Sequence, residues 1–563
     1  MKNKKPSSRR LLLAAIGLLG ASPLTWAANF DALDHSSSGF ENLEASTPDS
    51  AANSMSILSS LQQSEVDNKK DHYFEILNLL KQNKLPEAES KITALLQKMP
   101  NEPQFYNLQG LIATLKKDLA GARQSYQKAI GLDKGNLTAL IGLAKLALDS
   151  GDFAAAKTHA EQALSVNGKF ANGYLLLADI ANKQKKPEEV ERILLNGLDK
   201  IKGNLAQEIE LLNTMGRYYV FRKQPEKILP LADDLVKRHN GNNSALSVLS
   251  GAQIVNNKLD QAEQTLKQII QQDSRDIDHR LLLVKLLSDK PEREKDVLQL
   301  LEETANIEPN NPQADAYKTA YFIKLKRNGD ALATAEKVDK QFPKLAIGKL
   351  LKGDVALSER QWEKAITNYK QAYAIEPNVN LLFKVADILQ SQGKVADAIA
   401  LLDAESIKNS KDLAIHFKLA TIYQQQNNVG KAQIHYEAIL SQQADNPLAL
   451  NNLAWLYSEQ NNPKSLELAK KAHALAPDAA AITDTYGYIL LKQGQPKEAL
   501  AVLEQASTAA PKDNDVQYHL AEALVANDDK SKALGILESI VKSEQAFSEK
   551  AAAEKLLNQL KAN

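Results

Sequence analysis

From Asp71 to Val541 apolar residues return every three or four positions, the helical period, with polar breaks between the runs. Within that pattern small residues recur at intervals of 33 or 34, at Gly110, Ala144 and Ala178 and again at Gly353, Ala386, Ala420, Ala454, Gly487 and Ala521. A second series follows twelve residues behind, at Ala122, Ala156, Ala365, Ala398, Ala432, Ala499 and Ala533. Two in-phase series predict two helices per unit that cross closely, because Gly or Ala lets the backbones approach. Turns fall between them (Ser150-Gly151-Asp152, Gln392-Gly393-Lys394, Gln493-Gly494-Gln495-Pro496), and Pro100, Pro309, Pro377, Pro477 and Pro511 follow second helices, where Pro stops one helix and suits the start of the next.

The expected organisation is an all-α array of about fourteen helix-turn-helix repeats. Clear repeats occupy 71–200 and 344–545, and degenerate ones 201–343, where Ile228 and Val297 replace small residues and the turn Ser288-Asp-Lys-Pro291 differs from its neighbours. A change of superhelical curvature or a pause in the stack, enough to separate two lobes, is expected near Lys200-Ile-Lys-Gly203 and near Pro343. A capping helix over Ser548 to Leu560, within 546–563, carries the polar face (Glu549, Lys550, Glu554, Lys555, Asn558) that the end of a stack needs.

At Leu345 to Pro377 the residues Gly353, Trp362, Ala365, Tyr369, Ala372 and Pro377 resemble the tetratricopeptide repeat (TPR). The resemblance implies a right-handed superhelical solenoid whose first helices line a concave groove for peptides or partner helices. Carried onto the C-terminal repeats, that face holds Asn451 and Trp455, Asp484 and Tyr488, Tyr518 and Glu522. Each pair is four residues apart and so lies on one side of its helix. Aromatic rings beside amide and carboxylate groups suit an extended peptide or the face of a sugar ring. In the competing reading, Trp455 fills a hairpin interface and touches no ligand. The Lys and Asn set with which some such repeats clamp a C-terminal carboxylate is not reproduced.

Composition narrows the function. With 69 basic and 69 acidic residues the formal net charge is zero, so no global field draws the chain to nucleic acid. Absence of Cys excludes disulfides, thiolate chemistry and lipidation at an N-terminal Cys. Nine His are scattered without a His-Glu-x-x-His run or an i,i+4 pair, and no nucleophile elbow or phosphate loop is present. Adjacent carboxylates such as Glu188-Glu189 and Glu302-Glu303 point different ways on a helix. The expectation is a binding protein and not an enzyme, with no cofactor and no metal site.

Residues 1–27 combine Lys2, Lys4, Lys5, Arg9 and Arg10 with an apolar run from Leu11 to Leu19 and small residues at Thr25 and Ala27, the pattern of a signal peptide cleaved after Ala27. Arg9-Arg10 leaves twin-arginine export open beside the general route. That run is short for a bilayer span, which needs about 20 residues, and the mature chain has no transmembrane segment. Residues 28–70 are Ser-, Ala- and Asp-rich and read as a flexible leader, with a short helix expected around Ser54 to Gln63.

The stretch Asn451-Asn-Leu-Ala-Trp-Leu-Tyr457, Ala476-Pro477, Thr483-Asp-Thr-Tyr-Gly487 and Tyr518-His-Leu-Ala-Glu-Ala523 is similar to the last repeats of TPR proteins accompanying exosortase/PEP-CTERM sorting and exopolysaccharide loci. Those relatives are often lipid-anchored, whereas this chain lacks the Cys for it. The resemblance implies a periplasmic or otherwise exported scaffold that holds envelope proteins or peptides in its groove. The alternative it leaves open is a glycan-binding solenoid that holds nascent polysaccharide.

Overall fold

A computed structural model describes residues 70–562 except residue 83. The expected signal peptide, leader and Ser54–Gln63 helix therefore lie outside the described residues. The chain divides into two compact units between Glu308 and Pro309. In the N-terminal unit the hairpins pair α1 (Lys70–Lys81) with α2 (Leu85–Lys98), α3 (Pro103–Leu115) with α4 (Leu119–Leu132), α5 (Leu137–Asp149) with α6 (Phe153–Val166) and α7 (Ala171–Lys183) with α8 (Pro187–Lys200). They continue with α9 (Leu205–Phe221) and α10 (Ile228–Arg238), α11 (Asn243–Val255) and α12 (Leu259–Gln272), and α13 (Ile277–Leu287) and α14 (Glu294–Ile307).

The C-terminal unit pairs α15 (Gln313–Lys324) with α16 (Asn328–Gln341), α17 (Ile347–Ser358) with α18 (Trp362–Ile375), α19 (Val379–Ser391) with α20 (Val395–Lys408) and α21 (Leu413–Gln425) with α22 (Val429–Gln442). Next come α23 (Pro447–Glu459) and α24 (Lys464–Leu475), α25 (Ala480–Lys492) and α26 (Pro496–Ala509), α27 (Asn514–Ala526) and α28 (Lys530–Lys542), then the single α29 (Lys550–Ala562). Fourteen hairpins and a terminal helix, with no strand among the described residues, match the expected architecture.

Local chemistry explains where each helix starts. Asp118, Asn136, Asp152, Asn446 and Asp513 place side-chain oxygens on backbone N–H groups two or three residues ahead, satisfying donors that a helix leaves unpaired. Pro103, Pro187, Pro447 and Pro496 open helices where no N–H is needed. Both small-residue series are buried: Ala144, Ala386, Ala420, Ala454 and Ala521 in the first helices, Ala122, Ala365, Ala398, Ala432, Ala499 and Ala533 in the second. At Gly353 an added Cβ would sit 2.5 Å from the Tyr369 ring, which shows how closely α17 and α18 cross.

The degenerate middle obeys the same scheme with local changes. Ile228 and Val297 are fully buried in the slot that Ala holds elsewhere, and both α10 and α14 are entered through a 3-10 turn, Pro225–Lys227 and Pro291–Arg293. The expected pause near Lys200-Gly203 is not where the units part. There Glu208, fully buried, accepts from the Gly203 N–H at 2.6 Å and pairs with Arg238 and with His239 Nε2 at 3.2 Å, while the Ala171 N–H donates to Gln207 Oε1 at 2.8 Å. Nor do they part at Pro343: a Cβ at Gly348 would lie 2.4 Å from the Asp339 Cα, so α16 and α17 are in direct contact.

Candidate functional site

First helices of neighbouring hairpins touch directly at several places within each unit, as α7 does with α9, α23 with α25 and α25 with α27. The first helices make one strip along each unit, the face that the repeat resemblance marks as the groove. Ion pairs rung that strip in the C-terminal unit: Lys384 Nζ reaches Asp354 Oδ1 at 2.8 Å, Lys418 Nζ reaches Asp387 Oδ1 at 2.5 Å, and Lys492 Nζ reaches Glu459 Oε1 at 2.9 Å. Each joins one first helix to the next, about a repeat apart.

The six residues expected on this face all lie on α23, α25 and α27. Trp455 and Tyr488 come together across two hairpins, their rings stacked at 5.3 Å between centroids and 21° between planes. Asp484 bonds to His519, whose Nδ1 lies 2.7 Å from Asp484 Oδ1. His519 is fully buried and its ring stacks on Tyr488 at 4.2 Å. Tyr518 donates to Glu522 Oε1 at 2.6 Å, and burial followed by that carboxylate pushes the Tyr518 hydroxyl well above an ordinary phenol. Asn451 is 4% exposed and donates to Asn452 Oδ1 at 3.2 Å, while its own Oδ1 accepts nothing from the chain.

The column Trp455, Tyr488, His519 was only two-thirds visible in the sequence. His519 is 31 residues after Tyr488, one turn short of the repeat, so spacing alone passes to Glu522. Lys492 completes the column: its Nζ lies 5.0 Å from the Tyr488 centroid. Burial disfavours its charge, but Glu459 and Tyr488 together outweigh that and raise its pKa.

Sequence reading also passed over the inner strip of the N-terminal unit. Lys145 on α5, Asp179 on α7 and Glu210 on α9 interact electrostatically; burial takes Lys145 down to about 8 and raises both carboxylates. The 34-residue step from Lys145 to Asp179 was the available signal. Among the described residues no three His, Cys, Asp or Glu are grouped to hold a metal ion, and no helix is long and apolar enough to cross a membrane.

Models of the tetratricopeptide repeat match residues 75–136, 141–194 and 350–411, and a further such model matches 490–560. No curated protein matches the chain. Solved structures similar to it include Naa15/Naa10 bound to HypK (14% identity over 96% of both chains, TM-score 0.43). The APC/C hetero-tetramer Cut9–Hcn1 is similar at 16% identity over 81% of this chain and 96% of that one, with a TM-score of 0.33. Yeast Tom70 is similar at 15% identity over 88% of this chain and 96% of that one, with a TM-score of 0.31. The matched segments fall on α1 to α8, α17 to α20 and α25 to α29, so the chain is an all-helical array carrying tetratricopeptide repeats.

Proposed function

We propose that this chain is an exported, non-catalytic scaffold whose inner face, centred on α23, α25 and α27, binds protein segments of an envelope assembly that makes surface polysaccharide or sorts surface proteins. Tetratricopeptide repeats mediate protein–protein interactions, and the N-terminal 27 residues and the C-terminal resemblance support the cellular setting. The observation that carries the choice of a protein ligand is the state of the aromatic column. Tyr488 is flanked by Trp455 and His519 in stacked geometry, with the Lys492 ammonium close by. A sugar needs a bare ring face. A peptide needs hydrogen-bonding groups along a strip, and the half-buried Glu522 carboxylate supplies an acceptor for backbone N–H groups.

The glycan reading keeps one supporting feature, the aromatic content of this face. In-place crosslinking on fractionated cells, with wild type and a Trp455→Ala/Tyr488→Ala/Tyr518→Ala variant of verified helicity, separates the two. Loss of captured envelope proteins with polysaccharide retention unchanged supports the scaffold. The reverse supports the glycan reader, and a cytoplasmic chain unprocessed near Ala27 overturns the export reading.

A further inference from the structure

Two histidines 19 residues apart meet across one hairpin. His416 on α21 and His435 on α22 face each other with their Nδ1 atoms 3.0 Å apart. His416 Nε2 lies 3.1 Å from the Ser410 carbonyl oxygen. A carbonyl only accepts, so Nε2 of His416 holds the proton and its Nδ1 accepts from His435 Nδ1–H; moving that one proton to His435 Nε2 frees both Nδ1 lone pairs for an ion. Metal-bound imidazoles are prepared in this way, the remote N–H given to a backbone carbonyl that fixes tautomer and orientation. His435 is oriented too: the Tyr423 ring stacks on it at 5.6 Å and 11°, and the Tyr423 hydroxyl donates to Asp403 Oδ2 at 3.2 Å.

We propose that His416 and His435 bind one divalent transition-metal ion through both Nδ1 atoms, Cu(II) or Ni(II) in preference to Zn(II), with water in the remaining positions. Two nitrogens about 2.1 Å from one ion stand about 3.0 Å apart when the bonds meet at a right angle and about 3.4 Å apart at the tetrahedral angle. The observed separation fits the right angle, which is the tetragonal preference of Cu(II) and Ni(II). The Asp403 charge favours a cation beside His435, and Lys431, 4.9 Å from the Tyr423 centroid, opposes it. With two protein ligands the ion exchanges readily and is removed by chelators.

Because the ligands sit on both helices of one hairpin, a bound ion ties α21 to α22. Linkage then slows local opening there about 100-fold at a free metal concentration 100 times Kd, when opening releases the ion. The test uses the tag-free chain with CuCl2, NiCl2 and ZnCl2, comparing wild type with His416→Asn, His435→Asn and, as control, His72→Asn. Wild type and H72N are expected to show a Cu(II) spin-resonance spectrum with two coupled nitrogens and metal-dependent deuterium protection confined to α21 and α22. Each single variant, with its metal-free helicity intact, is expected to lose the two-nitrogen signal and the protection. Equal binding in H416N or H435N, protection elsewhere, or no binding in the wild type overturns the proposal.

Discussion

A methyl group added at position 353 has nowhere to go. Its Cβ would stand 2.5 Å from Cε1 of Tyr369, a fully buried ring whose hydroxyl is held by Asp354 Oδ1 at 2.6 Å. Gly353→Ala is therefore expected to lower stability by about 1–3 kcal/mol, the usual range for overpacking a core, read as a lower urea midpoint. Gly535, on α28, is the matched contrast, since nothing lies within 4 Å of its Cβ direction. There Ala lowers the entropy of the unfolded chain without a clash and adds up to about 1 kcal/mol. Equal shifts at the two glycines would refute the close-crossing account.

Charge gives a second test at this scale. Glu263 is nearly buried, takes a two-pronged bond from Arg293 and another from Lys267, and these hold its pKa at about 2 against an ordinary 4.5. A depressed carboxylate adds stability above its unfolded pKa and loses it as pH falls. The stability difference between wild type and Glu263→Gln should be constant near neutrality and shrink from pH 4.5 toward 2; a pH-independent difference would count against the ion pairs.

At the scale of the element, the helices and their close crossings were legible because both leave a periodic trace, apolar residues at 3.6 and small ones at 33 or 34. The turns were legible only in part. Gly151, Gly393 and Gly494 have positive φ, as the breaker pattern implied, but Lys117, Lys185, Lys223, Lys326, Arg360, Asn427 and Asp528 adopt the same left-handed conformation at equivalent turns. Tertiary packing of the two helices forces the Lys and Arg residues there against their own preference, whereas Asn and Asp tolerate it. Lys185→Gly and Lys326→Gly should consequently raise stability, each by about 1 kcal/mol, measured by thermal melting, whereas Gly393→Ala should lower it. The middle repeats looked more irregular than they are. Gly216, Ser250 and Thr319 are buried small residues of the first helices, and Ala262 and Ala331 of the second. The 17-residue α9 shifts the phase, which hid them from a fixed period. For the candidate site, the three pairs came from repeat spacing. Their bonding did not, since stacking and the Asp484–His519 contact depend on side-chain direction between hairpins. Likewise His416 and His435, set 19 apart, follow no within-helix rule.

For the molecule as a whole, a stack in which each hairpin packs mainly on its neighbours behaves as a one-dimensional array, and a disturbance at one end should fade hairpin by hairpin. The C-terminal end is closed by α29, whose Ala553 and Leu557 join Leu537, Ile540 and Leu524 in one buried cluster. Leu557→Ala removes apolar contact from that closure and is expected to weaken it by about 2–5 kcal/mol, the range for Leu truncation in a core. Since the lost contacts belong to α28 and α29, their amides should exchange fastest, those of α27 and α26 less so, and those of α17 to α20 little. The N-terminal unit should be unaffected, because it shares no cluster with this end. Hydrogen exchange with peptide resolution reads this gradient directly. A uniform rise across the C-terminal unit would mean that its seven hairpins open as a single cooperative block, and the local stapling expected of a metal at His416 and His435 would then register along the whole unit instead of in α21 and α22 alone.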